Sequence, residues 1–586
     1  MFTKILIANR GEIAVRVARS CRTLGIESVA IHSTADAGSM HTRVADTAID
    51  LGDGPASSNY LHIPRIIAAA IESGAQAIHP GYGFLSENPE FANAVATAGL
   101  AFIGPSAHAM TTMGGKVAAR DVAIRVQVPL APGTGAIASA AAVGAFGTEH
   151  GYPVLVKASA GGGGRGMRRI DSEPQAKDAF DAAVREATAA FGNGEVYLER
   201  YLTHARHVEV QVFADTYGNV VYVGDRDCSV QRRHQKLVEE SPAPGLSDEL
   251  RRAMGEAAVR LAREVDYVGA GTVEFLVEDE KFFFLEMNTR IQVEHPVTEM
   301  VHGVDLIAEQ IRVAAGEKLS ILDNLTPKGA AIEARINAED VAEGQFLPSP
   351  GTVDVLRAPE GAGLRFDAGY ESGDTVLPLY DSLIGKLIAH GPDRETAIKR
   401  LLDGLDRLQI EGVPTTVPAA QTIVSHVDFQ KVRFSTLWLE ETVDFTDGEP
   451  VDRANVEVGG RFYIIPTFGD YGSADGAGYG AAALAGNPSA GDPAVAFGRT
   501  RQARAKRETV SDGTVKAPMQ GTIIKVNVEA GQKVAKGDVM FVLEAMKMEN
   551  PIPAPVSGVV GDITAGIGDS MAAGTLLTKV TVEVAA

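Results

Sequence analysis

An internal repeat near the C-terminus constrains this chain more than any other feature of its sequence. A set of alanine-proline and glycine positions recurs 37 residues later: Ala517-Pro518 as Ala554-Pro555, Gly521 as Gly558, Gly531 as Gly568 and Gly537 as Gly574. Two copies of a strand-and-turn unit that are each too small to bury a core must pack on each other. The glycines mark matching turns in both copies. The repeat therefore predicts a small duplicated β domain.

The segment EAMKMEN (544–550) falls between the two copies, and it places Lys547 between two methionines. A connection between two strands predicts that Lys547 lies at an exposed hairpin tip. An ordinary surface lysine also fits such a position. The motif becomes informative because it occurs at the turn of a duplicated β unit.

On these features, residues 514–584 resemble a biotin carboxyl carrier domain, a flattened β-barrel of the biotinyl/lipoyl type. The resemblance implies that Lys547 carries covalent biotin and that a biotin protein ligase attaches it. Lipoyl domains share this fold, but their lysine is usually flanked by Asp and Ala, whereas here two Met flank it; the motif favours biotin.

Length and charge narrow the class of protein. The chain has 586 residues, enough for several domains, and a formal net charge of −21, which disfavours nucleic acid as a partner. The two cysteines, Cys21 and Cys228, show no pairing pattern, so a reducing cytoplasm is expected. The sequence has no apolar run of about 18 residues and its first residues lack the pattern of a signal peptide, so no membrane association is expected.

The N-terminal sequence alternates strands with a helix. Residues 3–9 (TKILIAN), 28–33 and 75–83 read as strands, and Gly11 begins a helix. The apolar face of that helix consists of Ile13, Val17, Ala18 and Cys21. This order predicts a parallel, doubly wound sheet, with ligands at the carboxyl ends of its strands. The loops 10–12 and 79–83 are therefore placed near a site, although each alone also fits a tight turn.

A glycine run follows in VLVKASAGGGGRGM (154–167). Four consecutive glycines free the backbone to wrap its amides around phosphate oxygens, with Lys157 before them and Arg165 after them. The pattern matches neither the P-loop nor the dinucleotide-binding fingerprint. A bare glycine run also fits a flexible loop. A strand lysine followed by a glycine flap is similar to the ATP-grasp arrangement.

A hairpin is predicted over residues 271–296, with its turn at 278–280. Pairing across the turn places Glu274 opposite Glu286, and two facing carboxylates are stable together when a hard divalent cation lies between them. Alternation then predicts an extended strand that lines up polar side chains on one side: Glu286, Asn288, Arg290, Gln292 and Glu294. An edge strand with a solvated face is the alternative.

Two further segments carry charge. QRRHQK (231–236) concentrates positive charge and fits either an anion site or a basic loop. In AAIEARINAED (330–340), Arg335 lies on a predicted strand among Ile332, Ala334 and Ile336.

Taken in order, these segments resemble biotin carboxylase, an α/β enzyme of the ATP-grasp type. The matching segments are IANRGEIAVR, HPGYGFLSEN, RRHQKLVEE, EMNTRIQVEHPVTE and RINAED. The resemblance covers 1–445 and implies a doubly wound N-terminal domain (1–112), a linker with the ATP-grasp lid (113–205) and a C-terminal ATP-grasp and carboxylase domain (206–445). A hairpin and Gly/Ala-rich linker (446–510) and the carrier domain (511–586) would follow.

The resemblance also implies roles for individual residues. ATP would be held by Lys116, Lys157, the flap glycines Gly162, Gly163, Gly164 and Gly166, Glu199, His207, Gln231 and His234. Mg²⁺ or Mn²⁺ would be bound by Glu274, Glu286 and Asn288. Bicarbonate would be held by Lys236, Arg290, Gln292 and the Val293 backbone, with Glu294 as its base. Arg335 would stabilise the biotin enolate and Tyr82 would lie against the ureido ring. Ala160 and Gly115 depart from the family pattern without removing a catalytic group.

The implied function is ATP- and bicarbonate-dependent carboxylation of biotin on the chain's own carrier domain. The chain would be the α-chain of a two-component acetyl- or propionyl-CoA carboxylase, in a hetero-oligomer with a carboxyltransferase β-chain. Residues 456–468 are expected to form a hairpin and 469–498 a linker; this space is too short for a larger docking domain. An ATP-grasp ligase fused to a lipoyl-type carrier is the alternative.

The carrier hypothesis predicts that Lys547→Arg leaves the fold intact but abolishes biotin attachment, because arginine keeps the charge and cannot form the amide. Mass spectrometry of the chain coexpressed with a biotin protein ligase should find one biotin, absent from the variant. Biotin on a different lysine would contradict the assignment.

Overall fold

The computed structural model describes residues 1–159, 167–191, 193–321, 325–445, 452–458, 461–467, 513–517, 521–545, 548–571 and 574–581. The chain divides into two units, Met1–Phe445 and Thr446–Ala586. Among the described residues, no helix is both long enough and apolar enough to cross a bilayer.

The N-terminal residues form a parallel sheet flanked by helices. Its elements are β1 (Lys4–Ile7), α1 (Gly11–Thr23), β2 (Glu27–His32), α2 (Met40–Val44), β3 (Thr47–Asp50), α3 (Ile63–Ser73), β4 (Ala77–His79), α4 (Pro89–Thr97), β5 (Ala101–Phe102) and α5 (Ala107–Gly114). The strand order is β3-β2-β1-β4-β5 and every pair is parallel, which confirms the doubly wound prediction. The order reverses between β1 and β4, so the loops after these two strands flank the crevice where such sheets bind ligands.

The lid is an antiparallel sheet covered by helices. It contains α6 (Lys116–Arg125), β6 (Gly133–Ile137), α7 (Ala140–His150), β7 (Val154–Ala158), β8 (Met167–Ile170), α8 (Ala176–Phe191) and β9 (Val196–Arg200). The strand order is β6-β9-β7-β8, and apolar side chains of α7 and α8 pack on the sheet. Strands β7 and β8 pair with Lys157 opposite Met167, so the glycine run comes between two paired strands in sequence.

An eight-stranded sheet forms the centre of the first unit. Its region contains β10 (Arg206–Ala214), β11 (Val220–Arg232), β12 (Gln235–Ser241), α9 (Asp248–Glu264), β13 (Gly269–Glu278), β14 (Lys281–Asn288), α10 (His295–His302), α11 (Leu306–Ala314), β15 (Ala330–Asn337), β16 (Glu339–Asp340), β17 (Leu347–Pro348), β18 (Gly351–Thr352), β19 (Val355–Arg357), β20 (Leu364–Ala368), β21 (Thr375–Val376), β22 (Leu383–Gly391), α12 (Arg394–Arg407), β23 (Gln409–Glu411), α13 (Val417–Ser425), α14 (Val427–Gln430) and α15 (Trp438–Thr442). The large sheet is antiparallel in the order β14-β13-β10-β11-β12-β15-β22-β20.

The β13–β14 hairpin confirms that Glu274 faces Glu286, but a bulge is needed to achieve it. Asp279 and Glu280 form the turn with positive φ, and the regular pairing from that turn runs as far as Phe275 opposite Phe284. The register then shifts by one residue at Leu285, and this shift brings Glu286 opposite Glu274.

The predicted extension of this strand through residue 294 is wrong. Strand β14 ends at Asn288, and residues 289–294 form a loop that leads into α10. The polar side chains of this loop reach the site by individual contacts, because the backbone there has no two-residue period.

The second unit begins with a pair of strands, β24 (Asp452–Val458) and β25 (Arg461–Thr467). They pair antiparallel with Val458 opposite Arg461, the register that the predicted hairpin requires. The predicted linker, 469–498, lies outside the described residues.

The repeat determines the topology of the carrier domain. Its strands are β26 (Thr514–Lys516), β27 (Gly521–Val526), β28 (Lys533–Val534), β29 (Val539–Ala545), β30 (Met548–Pro553), β31 (Gly558–Val560), β32 (Ser570–Met571) and β33 (Leu576–Thr581). They form two four-stranded sheets, β26-β33-β31-β28 and β30-β29-β27-β32. Strands β26 to β29 belong to the first copy and β30 to β33 to the second, so each sheet takes two strands from each copy. Neither copy can form its sheet alone.

We expect two adjacent leucines, Leu576 and Leu577, to contribute unequally to the stability of the core between these sheets. Leu577 is fully buried and Leu576 is 46% exposed. Leu577→Ala should lower the free energy of unfolding by about 2–5 kcal/mol, and Leu576→Ala by less than about 1 kcal/mol. Denaturant unfolding of residues 511–586 measures both values, and equal losses would contradict this core.

Candidate active site

A row of charged residues crosses four neighbouring strands of the large sheet. Glu286, Glu274, Glu209 and Arg226 stand opposite one another in turn, on β14, β13, β10 and β11. Glu209 and Arg226 are fully buried and Glu274 is 4% exposed. Buried charges are stable only when they are paired and hydrogen-bonded, so the contacts of this row determine how the site is built.

Lys236 connects the row to the loop before α10. Its Nζ lies 2.7 Å from Glu209 Oε2, 3.2 Å from Glu274 Oε1 and 2.7 Å from Glu294 Oε1. Burial alone lowers the pKa of a lysine, but the surrounding carboxylates raise the pKa of Lys236 well above its usual value. Lys236 is therefore a fixed cation at the centre of the site.

Glu294 lies between two cations. Besides Lys236, it accepts a hydrogen bond from the Arg335 guanidinium at 2.9 Å. Burial opposes ionisation, but Lys236, Arg335 and Arg226 outweigh it and hold the pKa of Glu294 well below its usual range. Glu294 is thus ionised at neutral pH and can accept a proton.

Arg335 has a second partner that the sequence analysis missed. Its Nε donates to Glu239 Oε1 at 2.5 Å. Burial raises the pKa of Glu239 to about 7, with Glu294 adding to the shift and Arg335 opposing it. Arg335 is therefore held by one carboxylate from its neighbouring strand and one from the loop.

Arg226 holds Gln292 in place. Its guanidinium, which is fully buried, pairs with Glu209 and donates to Gln292 Oε1 at 2.9 Å. Gln292 Nε2 in turn donates to Glu274 Oε1 at 2.9 Å. Both ends of the Gln292 amide are thus fixed.

The predicted metal ligands lie at one end of the charged row. Asn288 donates to Glu274 Oε1 at 2.7 Å, and Glu286 stands opposite Glu274. Desolvation raises the pKa of Glu286, the Glu274 charge raises it further, and Lys116 lowers it. This repulsion between two carboxylates beside an amide oxygen is the arrangement that a hard divalent cation relieves, so the residues fit Mg²⁺ or Mn²⁺.

His207 and Arg290 flank these ligands. His207 Nε2 lies 2.9 Å from Glu274 Oε2. Arg290 donates to Asn288 Oδ1 at 3.1 Å and to Glu87 Oε2 at 3.0 Å. Glu87, from the segment before α4, was not predicted as a site residue.

The described lid residues form an ion cluster. Glu199 on β9 pairs with Lys157 on β7 and accepts from Arg120 on α6 at 2.7 Å. Lys116 is the first residue of α6 and is exposed. The flap glycines Gly162, Gly163, Gly164 and Gly166 and the carrier lysine Lys547 lie outside the described residues.

The residues of the QRRHQK segment (231–236) lie in different surroundings, some exposed and some buried. Arg233 and His234 form the exposed turn of the β11–β12 hairpin with positive φ, while Gln231 is buried opposite Lys236. Arg232 lies over the Phe346 ring at 4.7 Å. Among the cations of this segment, Lys236 is the one that joins the central carboxylates.

Tyr82 and Val293 have buried partners outside the charged row. The Tyr82 hydroxyl donates to Glu12 Oε2 at 2.5 Å, and this contact confirms that the loops after β1 and β4 meet. The Val293 carbonyl accepts from Lys386 Nζ at 2.7 Å.

Sequence reasoning missed Glu209, Arg226, Glu239 and Lys386. Each lies inside a strand of the large sheet, where a charged residue without a surface to face is itself the signal. The run LIGKLIAHG around Lys386 is an example: its neighbours are too apolar for a solvated strand.

A four-stranded lid joined to a sheet that carries buried carboxylates and cations defines an ATP-grasp enzyme. The family models agree, and they match successive parts of the chain. The matches are "Biotin carboxylase, N-terminal domain" over 1–110, "Carbamoyl-phosphate synthase L chain, ATP binding domain" over 115–322, "Biotin carboxylase C-terminal domain" over 333–441 and "Biotin-requiring enzyme" over 513–580.

One relative matches nearly the whole chain, and others match its carboxylase part. The biotin-dependent acyl-coenzyme A carboxylase alpha3 subunit of Mycobacterium leprae is 45% identical over 98% of this chain and 98% of its own. The biotin carboxylase of Haemophilus influenzae is 49% identical over 76% of this chain and 100% of its own. The biotin carboxylase domain of the Hydrogenobacter thermophilus 2-oxoglutarate carboxylase, solved with MgADP and bicarbonate, is 45% identical, with a TM-score of 0.70 over 75% of this chain and 98% of that chain.

The chain therefore belongs to the biotin carboxylases, with a biotin carrier domain fused to the carboxylase, as in biotin-dependent acyl-CoA carboxylase α subunits. It is a ligase that uses ATP and Mg²⁺, and its cofactor is biotin.

Proposed function

We propose that this chain carboxylates biotin attached to its own Lys547 and passes the carboxyl group to a separate carboxyltransferase chain. The observation that carries the proposal is the placement of Glu294, an ionised carboxylate, between Lys236 and Arg335. A base flanked by two cations suits an anionic substrate that must lose a proton. The enzyme would be an acetyl- or propionyl-CoA carboxylase in the cytoplasm.

ATP would bind between the lid and the large sheet. Lys116, Lys157, Glu199 and the flap glycines would hold it from the lid, and His207, Gln231 and His234 from the sheet. A divalent cation held by Glu274, Glu286 and Asn288 would neutralise charge on the transferred phosphoryl group. The raised pKa of Glu286 supports this assignment, because desolvation and the neighbouring Glu274 carboxylate both disfavour its charge and a divalent cation would offset both effects.

Bicarbonate would lie between Lys236 and Arg290, against Gln292 and the Val293 backbone. Glu294 would take its proton as a bicarbonate oxygen attacks the γ-phosphorus of ATP, releasing ADP and forming carboxyphosphate. The position of Gln292 supports this, since hydrogen bonds at both ends of its amide leave it a preorganised contact.

Biotin supplies the ureido nitrogen that accepts the carboxyl group, and the phosphate released from carboxyphosphate would take the proton of that nitrogen. Arg335 would hold the negative charge that develops on the ring oxygen, since its guanidinium is already fixed by Glu239 and Glu294. Tyr82 would lie against the ring. A closed lid would exclude water from carboxyphosphate and the CO₂ it yields.

The carboxylase would comprise 1–112, 113–205 and 206–445, followed by the connection, 446–510, and the carrier, 511–586. The 98% coverage of a relative named as an α subunit supports a partner chain. Biotin protein ligase would be the second partner.

The role of Glu294 predicts a specific kinetic change. Glu294→Gln should lower turnover by about 10²–10⁴ with ATP binding little changed, because the amide cannot accept the proton. Glu286→Gln should instead lose activity that added Mg²⁺ partly restores. Bicarbonate-dependent ATP hydrolysis at several Mg²⁺ concentrations separates them, and equal, metal-insensitive losses would mean that the roles are misassigned.

If a partner chain is needed for transfer to an acyl-CoA, carbon from labelled bicarbonate should stay on this protein when that partner is absent. Roughly 65 residues separate the carboxylase from the carrier, too few for a domain that binds CoA and stabilises a thioester enolate. The pure biotinylated chain with ATP, Mg²⁺, labelled bicarbonate and propionyl-CoA should retain label on the protein. Acid-stable label in malonyl- or methylmalonyl-CoA without a second chain would refute this.

A further inference from the structure

Lys386 is a buried cation that the roles assigned above do not use. It lies on β22 in LIGKLIAHG and is 0% exposed. Its backbone stands opposite Arg335 on β15 and Asp367 on β20. A buried ammonium is costly unless its hydrogen bonds are satisfied, so the groups that satisfy it are informative.

Two contacts of Lys386 join segments far apart in sequence. Its Nζ donates to the Val293 carbonyl at 2.7 Å and lies 3.2 Å from Glu12 Oε1. The other oxygen of Glu12 accepts the Tyr82 hydroxyl at 2.5 Å. One continuous series of contacts thus runs from Tyr82 through Glu12 and Lys386 to the Val293 peptide.

The Val293 carbonyl needs a hydrogen-bond donor from outside its own loop. Residues 289–294 leave the sheet, so their carbonyls lack ladder partners. The Ile291 carbonyl accepts from Arg290, Gln292 from the His295 ring and Glu294 from the Val297 amide, all within or next to the loop. Val293 instead takes its donor from Lys386 on a different strand.

Both acidic and basic groups surround Lys386. Glu12 faces it from α1, Asp367 from β20 and Glu333 from β15, where burial raises the pKa of Glu333 well above its usual value. The cations on these neighbouring segments are Arg335 on β15, Arg365 on β20, which pairs with Asp367, and Arg16 on α1. His295, from α10, has its pKa lowered well below the usual value by burial and by Lys386, so it is neutral. Lys386 therefore offsets the acidic groups as well as holding a carbonyl.

We propose that Lys386 is a positioning residue for carboxylation: with Glu12, it fixes the Val293 peptide on the bicarbonate side and the Tyr82 ring on the biotin side. This inference rests on the proposed function. Lys386 touches neither substrate, and the lid residues that would hold ATP are not part of the chain of contacts. Its loss should therefore affect bicarbonate and leave ATP little changed.

The test uses the full biotinylated chain and three variants. Lys386→Met leaves Glu12 buried without its cation and can fail to fold. The double variant E12Q/K386M removes both charges and keeps an acceptor for the Tyr82 hydroxyl. E12L/K386M removes that acceptor as well. Lys399→Met, at a lysine that is 72% exposed and paired with Glu395 on the surface, is the matched control.

In assays of bicarbonate-dependent ATP hydrolysis, the KM of E12Q/K386M for bicarbonate should be raised about tenfold. Its KM for ATP should stay within about twofold of the wild-type value, and its melting temperature should stay close to that of the wild type. Carboxyl transfer to the carrier in a single turnover should be about tenfold slower in E12L/K386M than in E12Q/K386M. Lys399→Met should change none of these values.

Three results would contradict the proposal. A wild-type KM for bicarbonate in E12Q/K386M would mean that Lys386 only neutralises Glu12, and an equal rise in both KM values would mean a general distortion. Equal rates of carboxyl transfer in the two double variants would contradict the claim that Glu12 positions the Tyr82 ring. A wild-type chain without bicarbonate-dependent ATP hydrolysis would instead refute the proposed function.

Discussion

The first unit depends on charges that are buried inside its sheet and balance one another there. Arg226 has no exposed surface and Lys236 reaches three carboxylates, so removing either cation would leave the buried carboxylates with less compensating positive charge. The acidic partners come from β10, β13 and the loop before α10. Neighbouring strands and that loop therefore have to be in register for the sheet to be stable, and the same register assembles the site.

Sequence patterns predicted the elements whose signal is local. The helix from Gly11 is confirmed, and its predicted apolar face, including Ile13 and Val17, is fully packed. The interleaved sheets of the carrier domain follow from a 37-residue repeat that no single copy can satisfy. In both cases the need to bury apolar side chains produces a regular spacing of residues that is visible in the sequence.

Prediction failed where a long-range contact decides the backbone. The alternation through Glu294 suggested a longer strand, but residues 289–294 leave the sheet and are held by Arg226, Lys386 and Lys236, which lie on other strands. The opposition of Glu274 and Glu286 was predicted, whereas the bulge at Leu285 that produces it was not. A bulge of one residue changes the register without any periodic signature, and a buried cation reveals its partners only once the strands are paired.

The charge balance also bears on how the site accepts its substrates. The central carboxylates Glu209, Glu274 and Glu294 are matched by Lys236, Arg226 and Arg335, so these three cations are already compensated by the protein's own anions. Glu286 adds a further carboxylate at the end of the row, with a raised pKa. A nucleotide would thus be repelled there unless a divalent cation arrived with it, because each added anion near Glu286 raises the cost of its ionisation. Bicarbonate, with a single charge, would meet a different surface under the proposed function, where Glu294 is ionised and Lys236 and Arg335 would be shared between base and substrate. On the proposed assignment, the same buried ion pairs would make the nucleotide end of the site dependent on a metal ion and would let the bicarbonate end work with the protein's own cations.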